Sequence, residues 1–139
     1  MDVSAQPCPA PYRLPLRVYW EDTDAGGVVF YANYLKFFER ARTEWLRALG
    51  VGQQALRDDT GAIFVVSDTR VRYHRPARLD DLLNVTVLLT ATGRATMNIT
   101  QQAWRDDTLL ADGEIRIGCV DAASFRPRRI PTQILTTLR

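Results

Sequence analysis

WEDTDAGGVVFYANYLKFFERARTEWLRALG, residues Trp20–Gly50, holds the one long, strongly amphipathic pattern in the chain. Tyr34, Phe38, Ala41, Trp45 and Leu49, with Leu35 and Leu46, recur at helical spacing and share one wide apolar face. Lys36, Glu39, Arg40, Thr43, Glu44 and Arg47 cover the remainder. Asn33 is the expected N-cap and Gly50 the C′ residue, which puts the helix at about Tyr34–Leu49. An aromatic face of this width needs a sheet to lie on.

Immediately before the helix, Glu21–Gly27 has turn chemistry: three acids, a threonine and two glycines, followed by the short apolar Val28–Ala32. Further back, Arg13–Trp20 alternates Leu14, Leu16, Val18 and Trp20 against Arg13, Pro15, Arg17 and Tyr19, the pattern of a half-buried strand. Pro15 suits an edge position. Met1–Tyr12 carries three prolines and few anchors and reads as a flexible arm, which leaves 13–139 as one domain.

After the helix comes a weakly helical or loop segment, Val51–Asp59, and then strands. Gly61–His74 begins with an apolar run and ends alternating Val71 and Tyr73 with Arg70, Arg72 and His74. Leu83, Val85, Val87 and Leu89 alternate with Asn84, Thr86 and Leu88. Met97 and Ile99 oppose Thr96, Asn98 and Thr100 within Ala95–Trp104. Leu109, Ala111, Ile115, Ile117 and Cys119 oppose Asp112, Glu114 and Arg116. Tight turns separate these runs, which predicts antiparallel strands in a meander. Pro131, with Ile130, Ile134 and Leu138 at helical spacing, predicts a short terminal helix. The resulting class is α+β, an antiparallel sheet curled around one long helix. One sheet face is left over, and part of it is expected to pack on a second subunit.

Hydrophobic residues at 46% and charged residues at 24% suit a soluble globular domain, and a net charge of +2 is too small to argue for nucleic acid. No run approaches the ~20 apolar residues of a membrane span, and the N-terminus lacks the basic and apolar regions of a signal peptide. Cys8 and Cys119 are far apart and read as reduced thiols of a cytoplasmic protein.

The residue inventory restricts the chemistry. There is one histidine, His74, and no G-x-S-x-G elbow, which argues against a serine hydrolase of the usual kind. One histidine and two scattered cysteines do not make a zinc site, so no metal is expected. Neither a G-x-G-x-x-G after a strand nor a phosphate-binding P-loop occurs, and no cofactor is expected. Carboxylate chemistry in the turn remains, with Glu21, Asp22 and Asp24 as candidates. On composition alone a solvated acidic turn, or a partner for the helix dipole, is the plainer reading. Against it, apolar segments bracket the turn, and a carboxylate there would be partly desolvated near backbone N–H groups that could polarise a carbonyl. Such a carboxylate can act as general base or nucleophile on an activated acyl group such as a thioester.

RVYWEDTDAGGVVFYANYLKFFERARTEWL, with RYHRPARLDDLL further on, resembles the 4-hydroxybenzoyl-CoA thioesterase family of hotdog-fold proteins, and most closely its Tol–Pal-associated acyl-CoA thioesterase branch. The specific part is D-x-x-G-V-V-x-x-x-N-Y ahead of FERAR. The resemblance implies a hotdog fold and hydrolysis of acyl-CoA to free acid and CoA. It implies a homo-oligomer, dimer or tetramer, with active sites at subunit interfaces. It places the catalytic aspartate on Asp24 and the backbone N–H that polarises the thioester carbonyl on Tyr31. Many relatives of the Tol–Pal branch have histidine at that position, so Tyr31 leaves the acyl preference open. Arg75 and Arg78 flank Pro76 at a strand end, where guanidinium groups would suit CoA phosphates; a solvated basic turn explains them equally well. Glu39 and Arg42 of FERAR are expected in helix packing or subunit contact, and His74 at the surface or an interface. The alternative function is a non-catalytic module binding acyl-CoA or acyl carrier protein. A dehydratase ranks last, because the long helix has no histidine.

Overall fold

The computed structural model describes residues 10–138. Most of the expected N-terminal arm therefore lies outside the described residues, but Tyr12, assigned to that arm, is the first residue of a strand. The elements are β1 (Tyr12–Arg17), a single 3-10 turn (Trp20–Asp22), α1 (Asn33–Ala48), α2 (Gln53–Thr60), β2 (Ala62–Tyr73), β3 (Leu82–Thr92), β4 (Thr96–Arg105), β5 (Thr108–Asp121) and α3 (Thr132–Leu138).

The strands form one antiparallel sheet in the order β1-β3-β4-β5-β2. This corrects the expected meander. β3, β4 and β5 are consecutive neighbours, whereas β2 lies on the far edge against β5. The cause is in the β2–β3 connection. Val29 donates its N–H to the Ala77 carbonyl at 2.8 Å, so the connection is held to the segment before α1 and does not turn β2 back onto β3.

The helix lies against one face of this sheet. Tyr34, Phe37, Phe38, Ala41, Trp45 and Leu46 are buried, and they pack in one cluster with Leu83, Val85, Met97, Ile99, Ile115 and Ile117. Phe37 replaces Leu35, which was expected on this face but is 45% exposed. The helix ends as the pattern predicts: Gly50, at φ +86°, donates to Arg47 O and Val51 donates to Leu46 O, the two bonds of a Schellman cap. Its start differs. Asn33 is the first helical residue and not the cap, because its side chain is used elsewhere.

Two other expected core positions move. Trp20 is 80% exposed, since the chain leaves β1 at Arg17 and enters the 3-10 turn. Leu110 takes the buried place expected for Leu109, because a bulge opposite Ala103 and Trp104 inserts one residue into β5. Gln101, on the core parity of β4, is fully buried. Its Nε2 donates to the carbonyls of Phe38 (3.0 Å) and Thr86 (3.3 Å), and its Oε1 accepts from Arg42 Nη1 at 2.8 Å.

Gly113 of β5 lies against Phe38 of α1. A Cβ there would stand 2.9 Å from Phe38 Cε2 and 3.3 Å from Ile115 Cδ1. Gly113→Ala is expected to destabilise the fold by about 1–3 kcal/mol through overpacking, measurable by urea denaturation.

Candidate active site

Each predicted site residue lies on the segment between β1 and α1 or on the β2–β3 connection, and backbone hydrogen bonds join the two. The first segment starts with the 3-10 turn, closed by Asp22 N–H to Tyr19 O (3.0 Å) and Thr23 N–H to Trp20 O (3.1 Å). A narrow hairpin follows, in which Thr23 faces Val29. Asp24 donates its N–H to Val28 O (2.9 Å) and receives the Gly27 N–H on its own carbonyl (3.0 Å). The Asp24 carboxylate accepts the Gly26 N–H at 2.8 Å. Gly27 has φ +80°, a conformation that disfavours any side chain.

Val28 pairs with Arg78, and Val29 bonds to Ala77, so the Asp24 hairpin and the β2–β3 connection form one small three-segment ladder. That connection is braced in turn. Asp81 Oδ2 accepts from Arg78 N–H (2.8 Å) and Arg105 Nη1 (2.8 Å), and Arg105 also donates to Pro76 O (3.1 Å). Ala77 is fully buried, while the side chains of Arg75 and Arg78 point to solvent.

Tyr31 precedes the helix start. Its carbonyl accepts the Tyr73 hydroxyl at 2.8 Å, and its ring sits edge-on to Tyr73 with centroids 6.1 Å apart. The Tyr31 N–H has no hydrogen-bond partner among the described residues. Burial pushes the Tyr73 phenol above its usual range, and Tyr31 adds to the shift. Burial likewise raises Tyr34, an effect the Ala77 backbone partly offsets.

The expectation of a desolvated Asp24 is not met within one chain: Asp24 is exposed. Val18 and Val29 do turn inward, but Trp20, Phe30 and Tyr31 turn outward, so the bracketing apolar segments do not enclose it. The buried acid of the turn is Asp22, 4% exposed, with Oδ2 accepting from Tyr19 N–H and Oδ1 from Asn33 Nδ2, each at 2.8 Å. Sequence reasoning counted Asp22 as one of three acids and missed this role. The pairing of an acid with an asparagine across the turn leaves no periodic signal.

Other candidates sort by environment. His74 Nε2 lies 2.6 Å from Asp112 Oδ2 at the surface. Cys119 is buried, its thiol raised chiefly by burial, as a core cysteine should be. Arg42 is half-buried, and burial lowers its guanidinium pKa while nearby Glu39 opposes the shift. It lines a cavity of about 300 Å³ between α1 and β2 with Trp45, Val66, Met97 and Ile99. A smaller cavity of about 180 Å³ shares Glu39, Arg42 and Val66 and reaches Leu35 in the first turn of α1. No helix among the described residues is long and apolar enough to cross a membrane.

Comparison with known proteins identifies the family and the fold. The chain is 43% identical over 129 residues to the acyl-CoA thioester hydrolase YbgC of Escherichia coli O157:H7, covering 92% of this chain and 96% of that protein. It is 42% identical to the acyl-CoA thioesterase YbgC of Haemophilus influenzae, covering 88% and 90%. The crystal structure of a probable thioesterase from Bartonella henselae superposes with a TM-score of 0.83 at 32% identity, covering 88% of this chain and all of that one. The thioesterase superfamily profile matches residues 26–111, from just after Asp24 to the first few residues of β5. With a five-stranded antiparallel sheet against one long helix, the chain belongs to the thioesterase superfamily and has its hotdog fold.

Proposed function

We propose that this protein is an acyl-CoA thioester hydrolase in which the Asp24 carboxylate is the reacting group. The observation that carries the reading is the short segment that bears both Asp24 and the Tyr31 N–H, which has no partner among the described residues, beside the Arg75–Arg78 connection. The names of its relatives in Escherichia coli and Haemophilus influenzae support the substrate class.

The thioester carbonyl accepts the Tyr31 N–H, reinforced by the N-terminus of α1, so that charge developing on oxygen is met by a fixed donor. As base, Asp24 removes a proton from a water molecule as that water adds to the carbonyl carbon. The tetrahedral intermediate then collapses, the C–S bond breaks, and CoA leaves as thiolate. As nucleophile, Asp24 forms a mixed anhydride with loss of CoA thiolate, and water hydrolyses it. Arg75 and Arg78 would meet CoA phosphates in this reading. The smaller cavity beside α1, lined in part by Leu35, Phe38, Val66 and Ile115, would offer apolar walls to the acyl chain. Loss of thiol release on Asp24→Asn is the test.

The active form is a homo-oligomer in this reading. β2 is 12 residues long and has no strand neighbour on its outer side among the described residues, and Val66, Tyr73 and Leu35 expose about half their surface beside it. A long edge strand with exposed apolar side chains calls for a partner. A second copy covering it would also exclude water from the neighbourhood of Asp24. Val66→Lys is expected to shift the protein to monomer in light scattering. A monomeric wild-type protein with full activity would contradict this reading.

A further inference from the structure

Asp22 is the acid that the proposed reaction leaves unused, and its setting is unusual for a carboxylate. It is 4% exposed and has no salt-bridge partner among the described residues. A buried anion without a cation persists only when hydrogen bonds and dipoles replace its hydration. Here both oxygens are used: Oδ2 by the Tyr19 N–H and Oδ1 by Asn33 Nδ2, while the Asp22 main-chain carbonyl takes the Phe30 N–H at 2.9 Å. Asn33 is itself buried at the first turn of α1, 7% exposed, where the positive end of the helix dipole favours an acid nearby.

The partners matter by position. Tyr19 and Asn33 are the entry and exit of the segment that carries Asp24 and Tyr31. The tip of that segment is exposed at Asp24, Ala25, Gly26 and Gly27, so its own hydrogen bonds fix its shape but not its placement over the helix start. The ladder to Ala77 and Arg78 holds one side. We propose that Asp22 and Asn33 are positioning residues that hold the other side, setting the distance between the Asp24 carboxylate and the Tyr31 N–H. The proposal rests on the assignment of Asp24. Reacting groups displaced by about 1 Å can lose on the order of 10²-fold in rate, so a tether of this kind acts on kcat before it acts on binding.

The test is a set of variants assayed on an acyl-CoA, with each melting curve recorded. Asn33→Ala withdraws one donor; kcat is expected to fall about 10- to 100-fold while KM changes less than about threefold. The exchange Asp22→Asn/Asn33→Asp keeps the same contacts with the charge moved. The amide introduced at position 22 accepts the Tyr19 N–H and donates to the carboxylate introduced at position 33. Its kcat is expected within about threefold of wild type, a rescue that a general loss of stability would not give. Wild-type kcat in folded Asn33→Ala would overturn the proposal. So would an exchanged pair that folds but is as slow as the single variant. Should Asn33→Ala melt below the assay temperature, the exchanged pair decides alone, and if that also fails to fold the tether is structural and the proposal falls. Asp24→Asn, run alongside, separates the two ideas: full activity there removes the catalytic assignment, whereas inactive Asp24→Asn beside unaffected Asn33→Ala removes only the tether.

Discussion

Asp24→Asn is expected to lower kcat for acyl-CoA hydrolysis by about 10²–10⁴-fold, the usual range for removing a general base, with little change in KM or melting temperature. The structural reason for the small collateral effect is local. Asp24 is exposed, and its one side-chain bond, from the Gly26 N–H to Oδ1, is of a kind that an amide oxygen also accepts. The turn should therefore keep its shape while losing only the ionisable group. Glu21→Gln serves as the control, because Glu21 is exposed and the described residues show no side-chain hydrogen bond to it. Equal losses in both variants would point to the charge of the turn and not to one carboxylate. Thiol release followed with a chromogenic disulfide, on short, long and aromatic acyl-CoAs, would measure the effect and the acyl preference together.

The largest expected effect on stability is at Gln101. Gln101→Leu should cost about 2–4 kcal/mol, since it withdraws a buried acceptor from Arg42 and a donor from two carbonyls, each such loss being worth about 1–3 kcal/mol. The guanidinium is the critical member. Burial already works against its charge, and with Gln101 gone it has no hydrogen-bond partner among the described residues. Adding Arg42→Met should therefore recover part of the loss, because removing both halves of a buried polar pair is less costly than orphaning one. A urea-denaturation double-mutant cycle would measure the coupling. Strict additivity would mean that the two side chains do not support one another.

Fold and site were legible in the sequence to different depths, for physical reasons. α1 could be read closely because its burial follows a 3.6-residue period and its end is marked by Gly50 in a Schellman cap. β3 could be read because Leu83, Val85 and Val87 alternate without interruption and are all buried. Periodicity failed where one residue breaks it. The bulge in β5 moved burial from Leu109 to Leu110, and the exit from β1 turned Trp20 outward. Strand order was hidden because it depends on Val29 meeting Ala77, a contact between segments with no shared pattern. At the site, the turn composition limited the chemistry to carboxylates, and family resemblance chose among three acids. The buried partnership of Asp22 with Asn33 was invisible, since Asn33 looked like a sufficient helix cap by itself.

The ladder joining Val28 and Val29 to Ala77 and Arg78 also bears on how the site comes into being during folding. Its two halves lie on opposite sides of β2 in the chain, so the Asp24 hairpin cannot be anchored before β2 and the segment after it are in place. It needs the chain to have continued through β2 into the β2–β3 connection. Closing a loop of that length carries an entropic cost that only the assembled sheet repays. A nascent or truncated chain ending before Ala77 would contain the whole acidic turn and the whole long helix, yet lack the backbone partner that holds the turn in place.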